Sequence, residues 1–139
     1  MTITGLNTTF QLDKQFGDKG EGSVLPKLRK YFNDDTIKPT TSKYCLYDYE
    51  ADNGSIYELK SRRIRRSTYP TTIIPTHKII NGKTQYFVFN FLDTISYIKY
   101  DADLFKTFRI EDITDGRYQS YKPSVPHYHI PTDSLTDFI

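Results

Sequence analysis

The sequence predicts an α/β domain in which helices flank a mixed, mostly antiparallel central sheet of about four or five strands. Three observations carry this prediction: a segment with helical spacing near the N-terminus, two short strands joined by a tight turn, and two aromatic-rich strands further along. The chain has 139 residues, the size of one domain that buries roughly two-thirds of its unfolded surface. We therefore expect a single compact core spanning residues 1–139.

The N-terminal part of the chain combines a polar leader with the first helix. Residues 1–15 are polar and rich in threonine, which predicts a loose leader or a short edge strand. The inward stripe of the helix consists of Glu21, Leu25, Leu28 and Phe32. Their spacing predicts a helix that starts at about residues 18–20 and ends at Phe32. Pro26 leaves a second interpretation open, in which the helix starts later with Pro26 in its first turn and Glu21 in the preceding loop.

The segment Tyr44–Arg66 has the pattern of two antiparallel strands joined by a turn. The turn, Asp52–Gly54, consists of residues that tolerate a positive φ, which a tight reversal requires. One face of the second strand carries Ile56, Glu58 and Lys60, and the other carries Tyr57 and Leu59. An antiparallel partner strand places Asp48 opposite the Glu58 face, near the end of the pair.

Asp48, Glu58 and Lys60 form a combination suited to phosphodiester hydrolysis. Two carboxylates held close together repel each other and raise the proton affinity of the site unless a cation lies between them. Carboxylate oxygens suit Mg²⁺ or Mn²⁺ better than Zn²⁺. A lysine two residues from a metal ligand can orient or deprotonate the water that attacks a phosphodiester. These residues therefore predict a metal-dependent phosphodiesterase site.

The spacing of these residues resembles the PD-(D/E)xK nuclease signature, the metal-dependent core of many restriction, repair, recombination and viral endonucleases. Asp48 is followed by nine intervening residues and then by Glu58-Leu59-Lys60. Tyr47 stands where a proline often precedes the aspartate of the signature. In this superfamily the helix before the first strand often adds another acid, and Glu21 in the segment FGDKGEGS matches that position.

The resemblance implies a restriction-endonuclease-like fold and the mechanism of a nuclease. It implies that Glu21, Asp48, Glu58 and the Leu59 carbonyl hold one or two Mg²⁺ or Mn²⁺ ions. Lys60 would then position the attacking water. The small size of the chain is similar to that of the minimal endonucleases of phages and large DNA viruses.

A basic segment follows the second strand, and its cations are Lys60, Arg62, Arg63, Arg65 and Arg66. The net charge of the chain is only +2, so the distribution of charge matters more than its sum. We expect the four arginines to hold the flanking nucleic-acid backbone by charge, without choice of sequence. Successive residues of an extended segment point in opposite directions, so only some of the arginines can contact one nucleic-acid strand.

Two lysines outside this segment are further candidates for nucleic-acid contacts. In the superfamily that the chain resembles, a helix commonly follows the Glu-x-Lys strand, and Thr71–Ile80 would be that helix. Lys78, and less plausibly His77, would then contact a phosphate, whereas the alternative makes Lys78 a solvated cation on a surface loop. Lys19, in the segment that opens the first helix, is also expected to contact nucleic acid.

The later part of the chain adds strands to the sheet. Thr84–Phe91 is dense in aromatic and β-branched residues, which predicts the central and most buried strand. Ile95–Tyr100 alternates and predicts a strand covered on one face. Leu104–Ile113 predicts either a short strand or a helical turn, and the segment SLTDFI in the tail predicts a short helix.

Three other residues raise a metal or nucleophile hypothesis. His127 and His129 lie two residues apart and would share a face of a strand, so a zinc pair is conceivable. No third ligand stands at a recognisable spacing, and such histidines are more often surface or packing residues. Cys45 is the single cysteine and lies in an apolar segment, where a buried thiol is commoner than a nucleophile.

The expected function is that of a metal-dependent endonuclease acting on nucleic acid, on DNA in preference to RNA. The alternatives are a non-catalytic nucleic-acid-binding protein that uses residues 60–66 and a structural module whose tyrosine-rich faces bind a protein partner. Edge strands and an aromatic surface are compatible with a homodimer. The sequence lacks a signal-peptide pattern and an apolar run long enough to cross a bilayer, so we expect a soluble, intracellular protein without a membrane partner.

Overall fold

The computed structural model describes residues 9–42, 45–114 and 123–138, with the backbone alone at Thr9, Phe10, Asp18 and Glu21. This part of the chain consists of a long helix, a six-stranded central sheet and a three-stranded sheet. The mixed and mostly antiparallel central sheet confirms the predicted α/β class. Within the same residues, no helix has both the length and the apolar composition that a membrane crossing requires.

The elements follow one another as α1 (Thr9–Tyr31), β1 (Lys38–Pro39), β2 (Tyr49–Glu50), β3 (Ile56–Ser61), β4 (Thr71–Pro75), β5 (Gln85–Asn90), β6 (Ile95–Lys99), α2 (Ala102–Phe105), β7 (Arg109–Ile113), β8 (Val125–Pro131) and β9 (Thr136–Asp137). Single turns of 3₁₀ helix lie at Arg66–Thr68, Thr76–Lys78 and Thr132–Ser134. The strands of the central sheet are longest at β3, β5 and β6, so these three form its middle.

The central sheet has the strand order β1-β2-β3-β5-β6-β9. Its β3 and β5 run parallel, and its other neighbouring strands are antiparallel. Phe87, Val88 and Phe89 of β5 are fully buried, which confirms the prediction of a central strand. A parallel pair requires a crossover connection, and here it passes through β4, an edge strand of the second sheet with order β4-β8-β7.

Helix α1 packs on the face of β3 that carries Leu59 and Ser61. The approach is closest at Gly20, where an added Cβ would lie 2.6 Å from Nδ2 of Asn90 and 2.9 Å from Oγ of Ser61. Val24, one turn further along, packs with Leu59 in a buried apolar cluster. Because successive strand residues point to opposite faces, the even-numbered residues of β3 face the second sheet.

Tyrosines on the α1 side of the sheet serve packing. Tyr57 and Tyr86 stack across β3 and β5 with ring centroids 5.0 Å apart, and Phe32 meets both rings edge-on. Burial raises the pKa of Tyr57 to about 12, because an ionised phenol would lose its hydration. Tyr57 and Tyr86 therefore act as packing residues of the sheet, the commoner role of tyrosine in strands.

The first helix is longer than the sequence predicts. It begins at Thr9, so residues 9–15 belong to the helix rather than to a loose leader, and Pro26 lies inside it; residues 1–8 fall outside the described part of the chain. Asp13 accepts a hydrogen bond of 2.9 Å from Arg63. This contact with the segment after β3 stabilises the N-terminal part of the helix, which the local sequence alone does not favour.

Two further segments differ from the predictions because they pair with distant strands. Residues 71–80 form β4 and a 3₁₀ turn instead of a helix, since Thr71–Pro75 pairs with β8. The tail forms a 3₁₀ turn and β9 instead of a helix, since Thr136–Asp137 pairs with β6. Residues 104–113 contain both predicted alternatives, the end of α2 and all of β7.

Candidate active site

The hairpin formed by β2 and β3 positions the first acid, Asp48. Gly54 has φ 89°, a left-handed conformation that favours glycine, and it lies in the turn that the sequence predicts. Asp48 precedes β2, and its Oδ2 accepts a hydrogen bond of 2.7 Å from the backbone N–H of Leu59. This bond holds the Asp48 carboxylate against the strand that carries Glu58.

Glu58 is deeply buried, with 4% of its surface exposed. Its Oε1 lies 3.2 Å from Nζ of Lys60 and 3.4 Å from Nζ of Lys78. Burial raises the pKa of Glu58 and the negative charge of Asp48 raises it further, while both lysines lower it. The net shift is upward, so the lost hydration outweighs the attraction of the two ammonium groups. The effect of Asp48 also means that the two carboxylates lie close enough to interact.

Lys60 is the lysine of the Glu-x-Lys pattern, and 21% of its side chain is exposed. Burial lowers the pKa of Lys60, and repulsion from Lys78 and Arg62 lowers it further, while Glu58 raises it. The net shift is downward. An ammonium group in this position releases its proton more readily than an ordinary lysine does.

Lys78 reaches Glu58 from the 3₁₀ turn that follows β4. It is therefore an ion-pair partner rather than a solvated cation on a loop. Gln85 of β5, 1% exposed, fixes this turn: its Nε2 donates to the Lys78 carbonyl at 2.7 Å, and its Oε1 accepts from the Ile80 N–H at 3.1 Å. Sequence analysis did not identify Gln85. The sequence does contain a signal for its role, because Gln85 is an amide inside an apolar strand and a buried amide needs hydrogen-bond partners.

Arg62 and Arg63 point to opposite sides of the chain, as the alternation predicts. Arg62 donates from Nη2 to the carbonyl of Ile73 in β4 at 2.7 Å. Arg63 donates from Nε to Oδ1 of Asp13 in α1 at 2.9 Å. One guanidinium therefore ties β3 to the second sheet, and the other ties it to the helix.

Arg65 and Arg66 are neighbours on an exposed turn, and their side chains also differ in the contacts that they make. Arg66 donates from Nε to Oδ1 of Asp137 and from Nη2 to the carbonyl of Thr132, both at 2.8 Å. Arg65 is exposed, and its carbonyl accepts a hydrogen bond of 3.0 Å from the N–H of Thr68, but its side chain makes no hydrogen bond or ion pair to another residue in the described ranges. Of the four arginines, Arg65 is the one that reaches into solvent without a structural contact to these residues.

The predicted site residues on α1 lie in a different layer from Glu58. The backbone of Glu21 follows Gly20, where the helix packs on the Ser61 face of β3, whereas Glu58 faces the second sheet. The Glu21 side chain lies outside what the structure describes, so its role as a further acid stays a prediction. Lys19 is exposed on the same helix, and its contact with nucleic acid also stays a prediction.

The site contains the kind and number of carboxylate ligands that a hard divalent cation commonly takes from a protein. Asp48 and Glu58 supply two carboxylates, and Leu59 directs its carbonyl to the same edge of β3 as the N–H that binds Asp48. Mg²⁺ is commonly held by one or two carboxylates together with waters and substrate phosphates. Among the side chains that the structure describes, no three His, Cys, Asp or Glu residues cluster as a metal site. Further ligands would therefore come from water, from a phosphate or from Glu21.

His127 and His129 lie on β8 but contact different groups. Nδ1 of His127 lies 2.7 Å from the carbonyl of Val125, and Nδ1 of His129 lies 3.2 Å from Nη2 of Arg109. No third ligand joins them in the described part of the chain. These contacts agree with the packing interpretation of the two histidines.

Asp48, Glu58, Lys60 and Lys78 thus form one compact group, which we call the Glu58 cluster. Its two carboxylates can bind a cation and its two ammonium groups can bind an anion, and partial burial strengthens both kinds of interaction. Comparison with protein-family models, with curated proteins and with solved structures finds no match for this chain.

Proposed function

We propose that this protein is a metal-dependent nuclease that hydrolyses phosphodiester bonds of nucleic acid, DNA in preference to RNA. The observation that carries the proposal is the Asp48 carboxylate bound to the N–H of Leu59, beside the Glu58–Lys60 ion pair. This arrangement supports the resemblance to the PD-(D/E)xK signature. A merely structural ion pair gains nothing from a second carboxylate, because Asp48 makes the ionisation of buried Glu58 less favourable.

Each residue of the Glu58 cluster has a role in this mechanism. Asp48, Glu58 and the Leu59 carbonyl would hold Mg²⁺ or Mn²⁺, which supplies a Lewis acid that polarises the phosphate. Lys60 orients the attacking water or accepts its proton, which its lowered pKa favours. Lys78 places a positive charge where the phosphate gains negative charge in the transition state.

The two lysines also prepare the site for an anionic substrate. Lys60 and Lys78 share one oxygen of Glu58, so each ammonium group has a like charge beside it. A phosphate offers both groups a further anionic partner and relieves their repulsion. Charge in the site therefore favours binding of a phosphodiester.

The flanking backbone of the substrate would be held by fewer arginines than the sequence predicts. Arg63 and Arg66 are engaged in ion pairs with Asp13 and Asp137. Arg65 is exposed, and its side chain forms no ion pair with the described residues. In this proposal Arg65 binds backbone phosphates, and the other arginines mainly hold the fold around the site.

Cleavage of labelled single-stranded, duplex and branched DNA and RNA tests the proposal. Each substrate is incubated with Mg²⁺, with Mn²⁺ or with EDTA, and with wild type, Lys60→Ala or Lys99→Ala. Lys99 is an exposed lysine of β6 and serves as the matched control. We expect divalent-dependent cleavage by wild type and by Lys99→Ala, and a loss of about 10²-fold or more in Lys60→Ala.

Two outcomes would contradict the nuclease. Nucleic-acid binding that persists in EDTA, without cleavage of any substrate, would favour the non-catalytic binding protein. Cleavage that Lys60→Ala leaves intact would place the chemistry elsewhere. An active nuclease of this kind is expected inside a cell, where its substrate is found.

A further inference from the structure

A cleft of about 450 Å³ opens where β3 ends, between the segment after β3 and the second sheet. Its lining includes Arg62, Arg66, Tyr69, Phe91, His129 and Thr132. We call it the Arg62 cleft. Its volume lies in the range of pockets that hold nucleotide-sized ligands.

The lining of the Arg62 cleft favours an anion that also carries a flat ring. Arg62 and Arg66 contribute guanidinium groups to a mainly apolar lining, where Arg62 also binds the Ile73 carbonyl and Arg66 also binds Asp137. Tyr69 lies at the mouth with 60% of its surface exposed, and its ring stacks on no other ring in the described ranges. Basic residues beside an exposed aromatic ring are a combination that binds single-stranded nucleic acid, through phosphates and stacked bases.

The Arg62 cleft and the Glu58 cluster are linked along the chain by Arg62, which lines the cleft. Arg62 follows Lys60 by two residues, so both start from the same face of the chain about 6.6 Å apart along the strand. A nucleic-acid strand with a phosphate at Lys60 would therefore enter the cleft with its next nucleotide.

We propose that the Arg62 cleft binds an unpaired nucleotide next to the scissile phosphate, with its base stacked on Tyr69. This inference rests on the proposed nuclease function and names its substrate class as nucleic acid with a single-stranded segment at the cut. Bases inside a duplex are stacked and paired on both sides, so they cannot offer a ring face to Tyr69.

Fluorescence anisotropy in EDTA tests this inference without cleavage. The probes are a labelled single-stranded oligonucleotide, a blunt duplex of the same sequence and a duplex with a single-stranded overhang, with a mononucleotide as competitor. The proteins are wild type, Tyr69→Ala, Tyr69→Phe and Leu104→Ala. Leu104 is an exposed apolar residue of α2, 39% accessible, and provides the control for loss of an exposed side chain.

We expect Tyr69→Ala to weaken binding of the single strand and of the overhang about tenfold. Tyr69→Phe keeps the stacking face and should bind as wild type does, as should Leu104→Ala. Blunt duplex should bind more weakly and should not respond to Tyr69→Ala. Unchanged single-strand affinity in Tyr69→Ala, or a mononucleotide that competes as well as the oligonucleotide, would overturn the inference.

The cleavage assay separates this inference from the proposed function. With Mg²⁺, cutting of the overhang substrate should fall in Tyr69→Ala while Leu104→Ala cuts normally. Equal cutting of the overhang substrate by wild type and Tyr69→Ala would leave the nuclease intact and would refute the cleft. Absence of cutting together with Tyr69-dependent binding would refute the nuclease and leave the cleft as a binding site.

Discussion

The Glu58 cluster and the arginines that follow it differ in how their charges are satisfied. In the cluster, one oxygen of Glu58 serves two lysines, and burial shifts the pKa of Glu58 upward and that of Lys60 downward. In the arginine segment, Arg62 and Arg66 donate to backbone carbonyls at 2.7 and 2.8 Å. In the first region, burial makes the charged forms of Glu58 and Lys60 less favourable, which is typical of functional sites. In the second region, the charged groups hold strands together.

Substitution of Asp48 should have the largest effect, and it should fall on activity alone. Asn in place of Asp48 keeps an oxygen that can accept the Leu59 N–H, so the free energy of unfolding should change by about 1 kcal/mol or less. The lost carboxylate removes a metal ligand, and the cleavage rate should fall about 10³-fold or more. Single-turnover cleavage together with urea unfolding measures both quantities.

The matched control for this substitution is Asp52→Asn, in the turn of the same hairpin. Asp52 is exposed, and its nearest cation is Lys38, at 3.9 Å. Asp52→Asn should cleave at the wild-type rate. If Asp48→Asn also cleaves at that rate, Asp48 is only an acceptor for the backbone and the proposed site is wrong.

In contrast to Asp48→Asn, substitution of Arg66 should act on stability rather than on activity. Arg66→Ala loses the ion pair with Asp137 and the bond to the Thr132 carbonyl. Hydrogen bonds to charged groups contribute about 1.5–3 kcal/mol, and both partners are partly exposed, so the free energy of unfolding should fall by about 2 kcal/mol. Urea or thermal unfolding at fixed salt provides the measurement.

Arg65→Ala supplies the comparison for Arg66→Ala, because the two arginines are neighbours. Arg65 is exposed, so its removal should change stability by about 0.5 kcal/mol or less while weakening nucleic-acid binding. Equal losses of stability in the two variants would contradict the division between a structural and a solvent-facing arginine.

The two regions also differ in how far the sequence could predict them. The hairpin is local: Asp52–Gly54 supplies the turn and the alternation of β3 sets its faces, so the positions of Asp48, Glu58 and Lys60 follow from nearby residues. The role of the arginines depends on acceptors far along the chain, such as the carbonyl of Thr132. A pattern of charges in the sequence contains no information about those acceptors.

The same distinction explains the elements that were predicted wrongly. The segment Thr71–Pro75 and the tail segment Thr136–Asp137 pair as strands with β8 and β6. The β-branched run at the start of the first segment already favours a strand, whereas the two residues of the second are too few to show a strand pattern. Lys78 reaches Glu58 because Gln85 holds its turn. No local pattern joins these three residues, so only the folded chain brings Lys78 and Gln85 into the site.

A smaller effect on stability than that of Arg66→Ala is expected within the Glu58 cluster itself. Because the pKa of Glu58 is raised above its ordinary value of 4.5, the folded state binds its proton more tightly than the unfolded state does. The stabilisation from this proton is therefore complete below pH 4.5 and is lost as the pH rises through the folded-state pKa. Above its folded-state pKa, the wild type carries an ionised Glu58 in a site that disfavours the charge.

Glu58→Gln should therefore be more stable than wild type at pH 8, by about 1 kcal/mol, and should be inactive. The difference in free energy of unfolding should shrink as the pH falls below 4.5, where Glu58 becomes protonated in both states. Glu50→Gln, on the partner strand, is the control for the loss of one carboxylate from the hairpin. Urea unfolding of the three proteins between pH 4 and pH 8 measures the difference.

A Gln variant that is less stable than wild type at pH 8 would contradict this prediction. It would mean that the attraction of Lys60 and Lys78 for Glu58 exceeds the cost of burying its charge, and that the Glu58 cluster is a structural ion-pair network like the arginine segment.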